Sequence, residues 1–208
     1  MVLLGNGGYK ITPILLIIVI LFSACKNNNS IDYYSYQTFS DEGNPYAIIE
    51  IPAGTNKKLE YNSEANSFDV DKENGKERII DFLPYPGNYG FIPSTYSNTD
   101  TGGDGDALDV LVLCESLKTG AIVKIIPLGV LKLIDNGEID SKIIAIPFDE
   151  SNQVLSAENY LEFSKKYPEV KTIIELWFLN YNPNDPSTIS GWGDEIEALS
   201  EIKNNLKR

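Results

Sequence analysis

The sequence predicts a mainly β domain with flanking helices, built as a small and mostly antiparallel barrel. Two observations carry this. Short β-branched runs alternate with turn signals through the middle of the chain, and helical periodicity appears only late. The runs are Ala47 to Pro52, Leu108 to Leu113, Ile122 to Leu133 and Ile139 to Ile146. Several short strands at such spacing suggest a small, mostly antiparallel barrel. Helical patterns fall at about Ser156 to Tyr167 and from Gly193 onward. There Asp194 opens a helix with apolar Ile196, Leu199, Ile202 and Leu206 on one side. Apart from one polar segment near the N-terminus the chain has no low-complexity tract, and it has no internal repeat.

The 208 residues fit one ordinary domain plus an N-terminal extension. A formal net charge of −13 argues against a nucleic-acid partner, because non-specific nucleic-acid affinity comes from Lys and Arg on phosphates. Bound cations would offset that charge. The chain contains no histidine, which excludes a Ser-His-Asp triad, a histidine general base and histidine-rich zinc sites. Hydrolytic chemistry on this chain must run on carboxylates, metals and hydroxyls.

Lys10 is followed by an apolar run from Ile14 to Phe22, too short for a comfortable membrane span, and then by Ser23-Ala24-Cys25. Leu21 to Cys25 resembles the lipobox of bacterial lipoproteins, with Phe22 where leucine is commoner. The expected organisation is a signal peptide over 1–24, a lipidated Cys25 with a polar tether over 25–43, and the globular domain over 44–208. Lipidation would leave Cys114 alone, with no intramolecular disulfide. It would place the protein in the cell envelope, held to a membrane by its N-terminal lipid and facing the periplasm or exterior. The rival reading is an uncleaved apolar anchor.

The densest chemical signal is Asp104-Gly105-Asp106-Ala107-Leu108-Asp109, which runs straight into an apolar strand. Three carboxylates at a strand entrance repel one another unless protons or hard cations neutralise them. An EF-hand does not fit. Counting from Asp104 puts Leu108 at a ligand position and Asp109 where glycine belongs, and counting from Asp100 puts Leu111 at the bidentate glutamate. In a second cluster, Asn136-Gly137 between apolar runs predicts a type I′ hairpin that pairs Asp135 with Glu138 and Leu133 with Asp140. Asp135, Glu138, Asp140 and Lys142 then share one face. Upstream, Glu50 interrupts an apolar strand, Lys58 and Glu60 share a face, Arg78 follows, and Tyr85 and Tyr89 sit on a turn-rich loop. Carboxylates for a hard metal beside Lys, Arg and Tyr donors suit a metal-bridged polyanion.

Taken in order, Ile49-Glu50-Ile51-Pro52, Lys58-Leu59-Glu60, Arg78, Tyr85-Pro-Gly-Asn-Tyr89-Gly, Asp104 to Asp109, Gly129-Val-Leu-Lys and Asp135 to Lys142 resemble the successive signatures of family I soluble inorganic pyrophosphatases. The resemblance covers roughly Tyr46 to Trp192. It implies a closed, OB-like barrel of five strands with C-terminal helices, whose mouth binds several Mg²⁺ ions around one pyrophosphate, and hydrolysis to two orthophosphates. By the same resemblance Asp104, Asp109 and Asp140 would hold the metals beside the attacking water, and Asp135 and Glu50 those borne by the substrate. Asp106 would be the general base. Lys58, Arg78, Tyr89, Lys142 and Tyr181 would hold the phosphates, with Lys57 as an alternative to Lys58 and with Glu60 and Tyr85 acting from behind. Family members are usually oligomers, so a homo-oligomer is an open expectation.

One position departs from that pattern. After Tyr181 the bacterial family usually carries a phosphate-gripping lysine, and this chain has Asn182, with no Lys or Arg after it until Lys203. The expectation is a weakened enzyme, or one tuned to a higher substrate level. Two other functions stay open on the sequence alone: a non-catalytic Ca²⁺- or phosphate-binding lipoprotein, and a hydrolase of a related polyphosphate or nucleoside triphosphate.

Overall fold

The structure, a computed structural model, describes residues 31–183 and 187–207. The expected signal peptide and Cys25 lie outside the described residues. No helix among the described residues is long and apolar enough to cross a membrane.

Five strands form a closed ring. They are β1 (Tyr46–Ile51), β6 (Asn88–Phe91), β7 (Asp109–Val112), β10 (Lys142–Pro147) and β8 (Ile122–Asp135), paired in that order, with β8 pairing back onto β1. All these pairs are antiparallel except β7 with β10. At fourteen residues β8 is long enough to close the ring at its start and to carry β11 (Thr188–Gly193) on its later half. A short β9 (Glu138–Ile139) folds back on its end through the Asn136-Gly137 turn. Both turn residues have positive φ, 49° and 88°, as a type I′ turn requires. Closure brings β6 so near β1 that a Cβ on Gly90 would lie 1.8 Å from the Ile48 carbonyl oxygen, so only glycine fits there.

The barrel wall is buried on both faces, which is why its strands read as nearly continuous apolar runs. Leu111, Ile144 and Ile146 pack with Trp177 and Phe178 of α2 (Pro168–Asn180). Their neighbours Val110, Val112, Ile143 and Ala145 pack with Ala198 and Ile202 of α3 (Glu195–Asn204). Asp194 caps α3 as expected, its side chain accepting from the Glu197 N–H. Ile202 is fully buried as expected, but the rest of the buried side of α3 differs: Ala198 is fully buried while Ile196 is 71% exposed. A small alanine lets the helix lie close to the wall, so its core contact is one that apolar bulk does not reveal. The first helix, α1 (Tyr160–Lys166), is shorter than expected and is capped by Asn159. Helix α2 was not expected. It starts at Pro168, where proline is favoured at the first helical position although it breaks helix interiors.

Two pairs of short strands stand outside the ring as sheets of their own. They are β2 (Leu59–Asn62) with β3 (Ser67–Val70), and β4 (Lys72–Glu73) with β5 (Lys76–Glu77). The polar tether expected over 25–43 fails where the structure describes it. Residues 31–45 form a strap on the barrel, with Thr38 and Ser40 buried and Thr38 Oγ1 donating to the Pro93 carbonyl at 2.8 Å. Tyr33 and Tyr34 pack on Tyr61, Phe68 and Phe91, and this aromatic contact area outweighs the polar composition around it.

Candidate active site

The parallel pairing of β7 with β10 sets Lys142 opposite Asp109 at one mouth of the barrel. Asp140 lies just before β10, and Asp104 comes from the loop before β7. One carboxylate oxygen from each of Asp104, Asp109 and Asp140 lies within 4.8 Å of the others. The loop is held by backbone bonds from Ser97 N–H to the Asp106 carbonyl and from Gly105 N–H to the Ser97 carbonyl. Gly105 takes φ +87°, and the Asp106 N–H donates to Asp104 Oδ1 at 3.0 Å. Local turn chemistry therefore presents Asp104 and Asp106 side by side.

Lys142, only 4% exposed, sits among these acids. Its Nζ lies 2.5 Å from Asp109 Oδ2 and also contacts Asp140. Tyr89 Oη donates to the same Asp109 oxygen at 2.5 Å. Burial works against the Lys142 charge, but Asp109 and Asp140 outweigh it and hold the ammonium protonated. Burial raises the Asp140 carboxyl above its ordinary range, Lys142 opposing that rise and Asp109 adding to it. Burial, with Asp104, Asp109 and Glu60 nearby, also raises Asp106.

A pocket of about 160 Å³ opens beside this group, lined by Glu50, Lys58, Glu60, Tyr89, Asp106 and Asp109, together with Tyr34 and Tyr61. Glu50 is 8% exposed and accepts from the Tyr61 N–H at 2.8 Å. Burial pushes its carboxyl up to about 8 despite that bond. Lys58 reaches Glu60 at 2.7 Å and lines the pocket, whereas Lys57 points to Glu77 at 3.3 Å and does not line it.

Arg78 pairs with Asp71 at 2.8 Å and lines a separate cavity of about 440 Å³ with Tyr181, Asn182 and Lys76. Tyr181 stacks on Trp177 with ring centroids 4.9 Å apart and feels the charges of Lys142, Asp135, Asp140 and Arg78. Tyr85 is buried, 4.5 Å from Trp177 and 5.2 Å from Tyr89, so it backs the Tyr89 ring. Asp135 accepts from Ser187 Oγ at 3.3 Å and stands outside the three-carboxylate group, as does Glu50. Glu138, placed by hairpin alternation on the same face, is exposed.

Sequence reasoning missed Tyr34 and Lys76. The signal for Tyr34 was present, since Tyr33, Tyr34 and Tyr36 are costly aromatics for a tether. Lys76 gave none, because only the tertiary fold brings it to the cavity that Asn182 also lines.

Oxygen donors without His or Cys fit a hard divalent cation better than a soft one such as Cu⁺. Fold and site together define a class: a barrel protein that offers carboxylates to hard cations and ammonium, guanidinium and phenol donors to a polyanion. The sequence model of the family described as Inorganic pyrophosphatase matches residues 47–208. The inorganic pyrophosphatase of Neisseria meningitidis serogroup B is 35% identical over 172 residues, covering 81% of this chain and 90% of its own. That of Saccharolobus solfataricus is 36% identical over 166 residues, covering 77% and 89%. The crystal structure of the Thermus thermophilus inorganic pyrophosphatase superposes with a TM-score of 0.71 at 26% identity, covering 85% of this chain and 97% of that one. The chain belongs to the inorganic pyrophosphatase family.

Proposed function

We propose that this enzyme hydrolyses inorganic pyrophosphate to two orthophosphates with Mg²⁺ as its cation. The observation that carries the reading is the convergence of Asp104, Asp109 and Asp140 beside Asp106, at a mouth that Lys58 also faces. Asp104, Asp109 and Asp140 would hold the cations nearest the nucleophile, and Glu50 and Asp135 those that arrive with the substrate. Bound there, divalent cations supply charge neutralisation and acidify water. Asp106 accepts the proton of the attacking water on a carboxylate oxygen, and its raised basicity brings it nearer a working pH. Lys58, Arg78, Lys142, Tyr89 and Tyr181 donate to phosphate oxygens. Glu60 tethers Lys58, and Tyr85 braces Tyr89.

Phosphate release from pyrophosphate, with Mg²⁺ and with EDTA, tests this. Turnover that needs Mg²⁺ is expected, and saturable binding without turnover would favour the binding-protein reading. Competition by tripolyphosphate and ATP separates the related hydrolases.

The lipid anchor and envelope location rest on the sequence of residues 14–25. Cys25→Ser should release the protein from the membrane fraction with its activity intact. A variant that still sediments with membranes would point to an uncleaved anchor. A homo-oligomer is supported by the exposed apolar stripe Ile173, Leu176 and Leu179 on α2, and sedimentation velocity checks it.

A further inference from the structure

We propose that Tyr34, carried by the N-terminal strap, is a positioning residue of the active site that clamps the β2–β3 hairpin against the barrel and thereby orients Glu50 and Lys58. The proposal rests on the reading of the site given above. Tyr34 precedes the part of the chain that the family model matches, 47–208. It nevertheless lines the pocket that holds Glu50, Lys58, Glu60 and Asp106.

The geometry is a relay. The Tyr34 hydroxyl donates to the Tyr61 carbonyl at 3.4 Å, and the Tyr61 N–H donates to Glu50 Oε1 at 2.8 Å. Tyr61 lies on β2, whose only strand partner among the described residues is β3. No sheet ladder therefore fixes β2 to the ring, although β2 contains Glu60 and follows directly on Lys58. The side chains of Glu50 and Tyr34 hold the Tyr61 backbone at its N–H and at its carbonyl.

Tyr34 is itself held firmly. Its ring centroid lies 5.1 Å from Tyr61 and 4.8 Å from Phe91. Its carbonyl accepts from the Ser94 N–H at 2.9 Å, and its N–H donates to Asp32. Burial, and then the nearby Glu50, Asp106, Glu60 and Asp109, keep the phenol protonated and so a donor. A strap that only covered apolar surface would need the ring, and phenylalanine would serve it equally. The hydroxyl is the part that covering does not explain.

The test is Tyr34→Phe in the full chain, with Tyr36→Phe as a control that removes a hydroxyl from the same strap at a ring that packs on Tyr46 and does not line the pocket. Four quantities are read: the metal-free Tm, the Mg²⁺ concentration that half-saturates thermal stabilisation in the presence of methylenediphosphonate, a non-hydrolysable pyrophosphate analogue that brings the Glu50 cation into play, and kcat and KM separately. Tyr34→Phe keeps the packing, so its metal-free Tm should stay within about 3 °C of the parent. Its half-saturating Mg²⁺ and its KM should each rise about two- to tenfold, the worth of one neutral hydrogen bond, while kcat stays within about twofold. Tyr36→Phe should leave half-saturating Mg²⁺ unchanged. Unchanged Mg²⁺ half-saturation and KM in Tyr34→Phe would overturn the clamp. So would a fall in kcat alone, which would put the hydroxyl in the chemical step, and so would a parent that shows no Mg²⁺-dependent stabilisation. A parent that is stabilised by Mg²⁺ but releases no phosphate would sink the pyrophosphatase reading alone, and the stabilisation data would still decide the clamp.

Discussion

Asp109 and Lys142 face each other across adjacent strands of a closed ring, whereas Lys58 and Arg78 flank hairpins that form sheets of their own. The first pair is backed by fully buried Val110, Leu111, Ile143 and Ile144. The second is joined to its surroundings by bonds such as Lys58 N–H to the Arg78 carbonyl and Arg78 N–H to the Asp71 carbonyl. Moving the carboxylates means opening the core, while the hairpins can shift at the expense of a few exposed bonds. The fixed wall suits ions that must keep their geometry. The looser wall suits phosphates that must enter and leave.

That division can be broken by experiment. The largest effect is expected from Asp106→Asn, which keeps the shape but loses the proton acceptor. A fall in kcat of about 10²- to 10⁴-fold with little change in KM is expected. A kcat near the parent value at saturating Mg²⁺ would remove Asp106 from the mechanism. Next comes a contrast between the walls. Asp109→Asn should raise the Mg²⁺ requirement by at least roughly tenfold, because an amide is a poorer ligand for a hard cation. Lys58→Ala should instead raise KM, by about ten- to a hundredfold for one charged hydrogen bond, at an unchanged Mg²⁺ requirement. If both variants moved both quantities alike, the two walls would be one unit.

The smallest effect concerns Asn182. A charged donor is worth about 1–2 kcal/mol more than a neutral one, so Asn182→Lys should raise kcat/KM about five- to thirtyfold. Lys76 lines the same cavity and already brings a cation to that side. An unchanged kcat/KM in Asn182→Lys, with a loss in Lys76→Ala, would show that Lys76 has taken over the lysine's task.

Four of the five ring strands were legible because they are β-branched, apolar and bounded by turns, and because burial on both faces leaves little polar interruption; β6, Asn88-Tyr-Gly-Phe91, carries no β-branched residue and reads as part of the turn-rich loop around Tyr85 and Tyr89. The carboxylate wall was legible for a different reason: Asp104, Asp106 and Asp109 are neighbours in sequence, and Asp135 to Lys142 follow one hairpin alternation. Helix α2 was hidden by its own composition. Its apolar residues go nearly all round, with Ile174, Trp177 and Phe178 buried and Ile173, Leu176 and Leu179 exposed, so no clean stripe announces it. The four hairpin strands are short and largely exposed, so no burial pattern marks them. Tyr34 and Lys76 reach their places through long-range packing that local pattern does not encode.

The strap also sets a leash. Tyr34 follows Cys25 by nine residues, and an extended chain covers at most about 3.3–3.6 Å per residue. With Cys25 acylated as proposed, the pocket wall can stand no farther than about 30 Å from the lipid. The whole chain carries a formal net charge of −13, and this acidity pushes it away from an anionic leaflet, but salt screens that push beyond about 8–10 Å. Catalysis would then be confined to a thin layer above the bilayer, and the enzyme would sample pyrophosphate at the membrane surface rather than in the surrounding fluid.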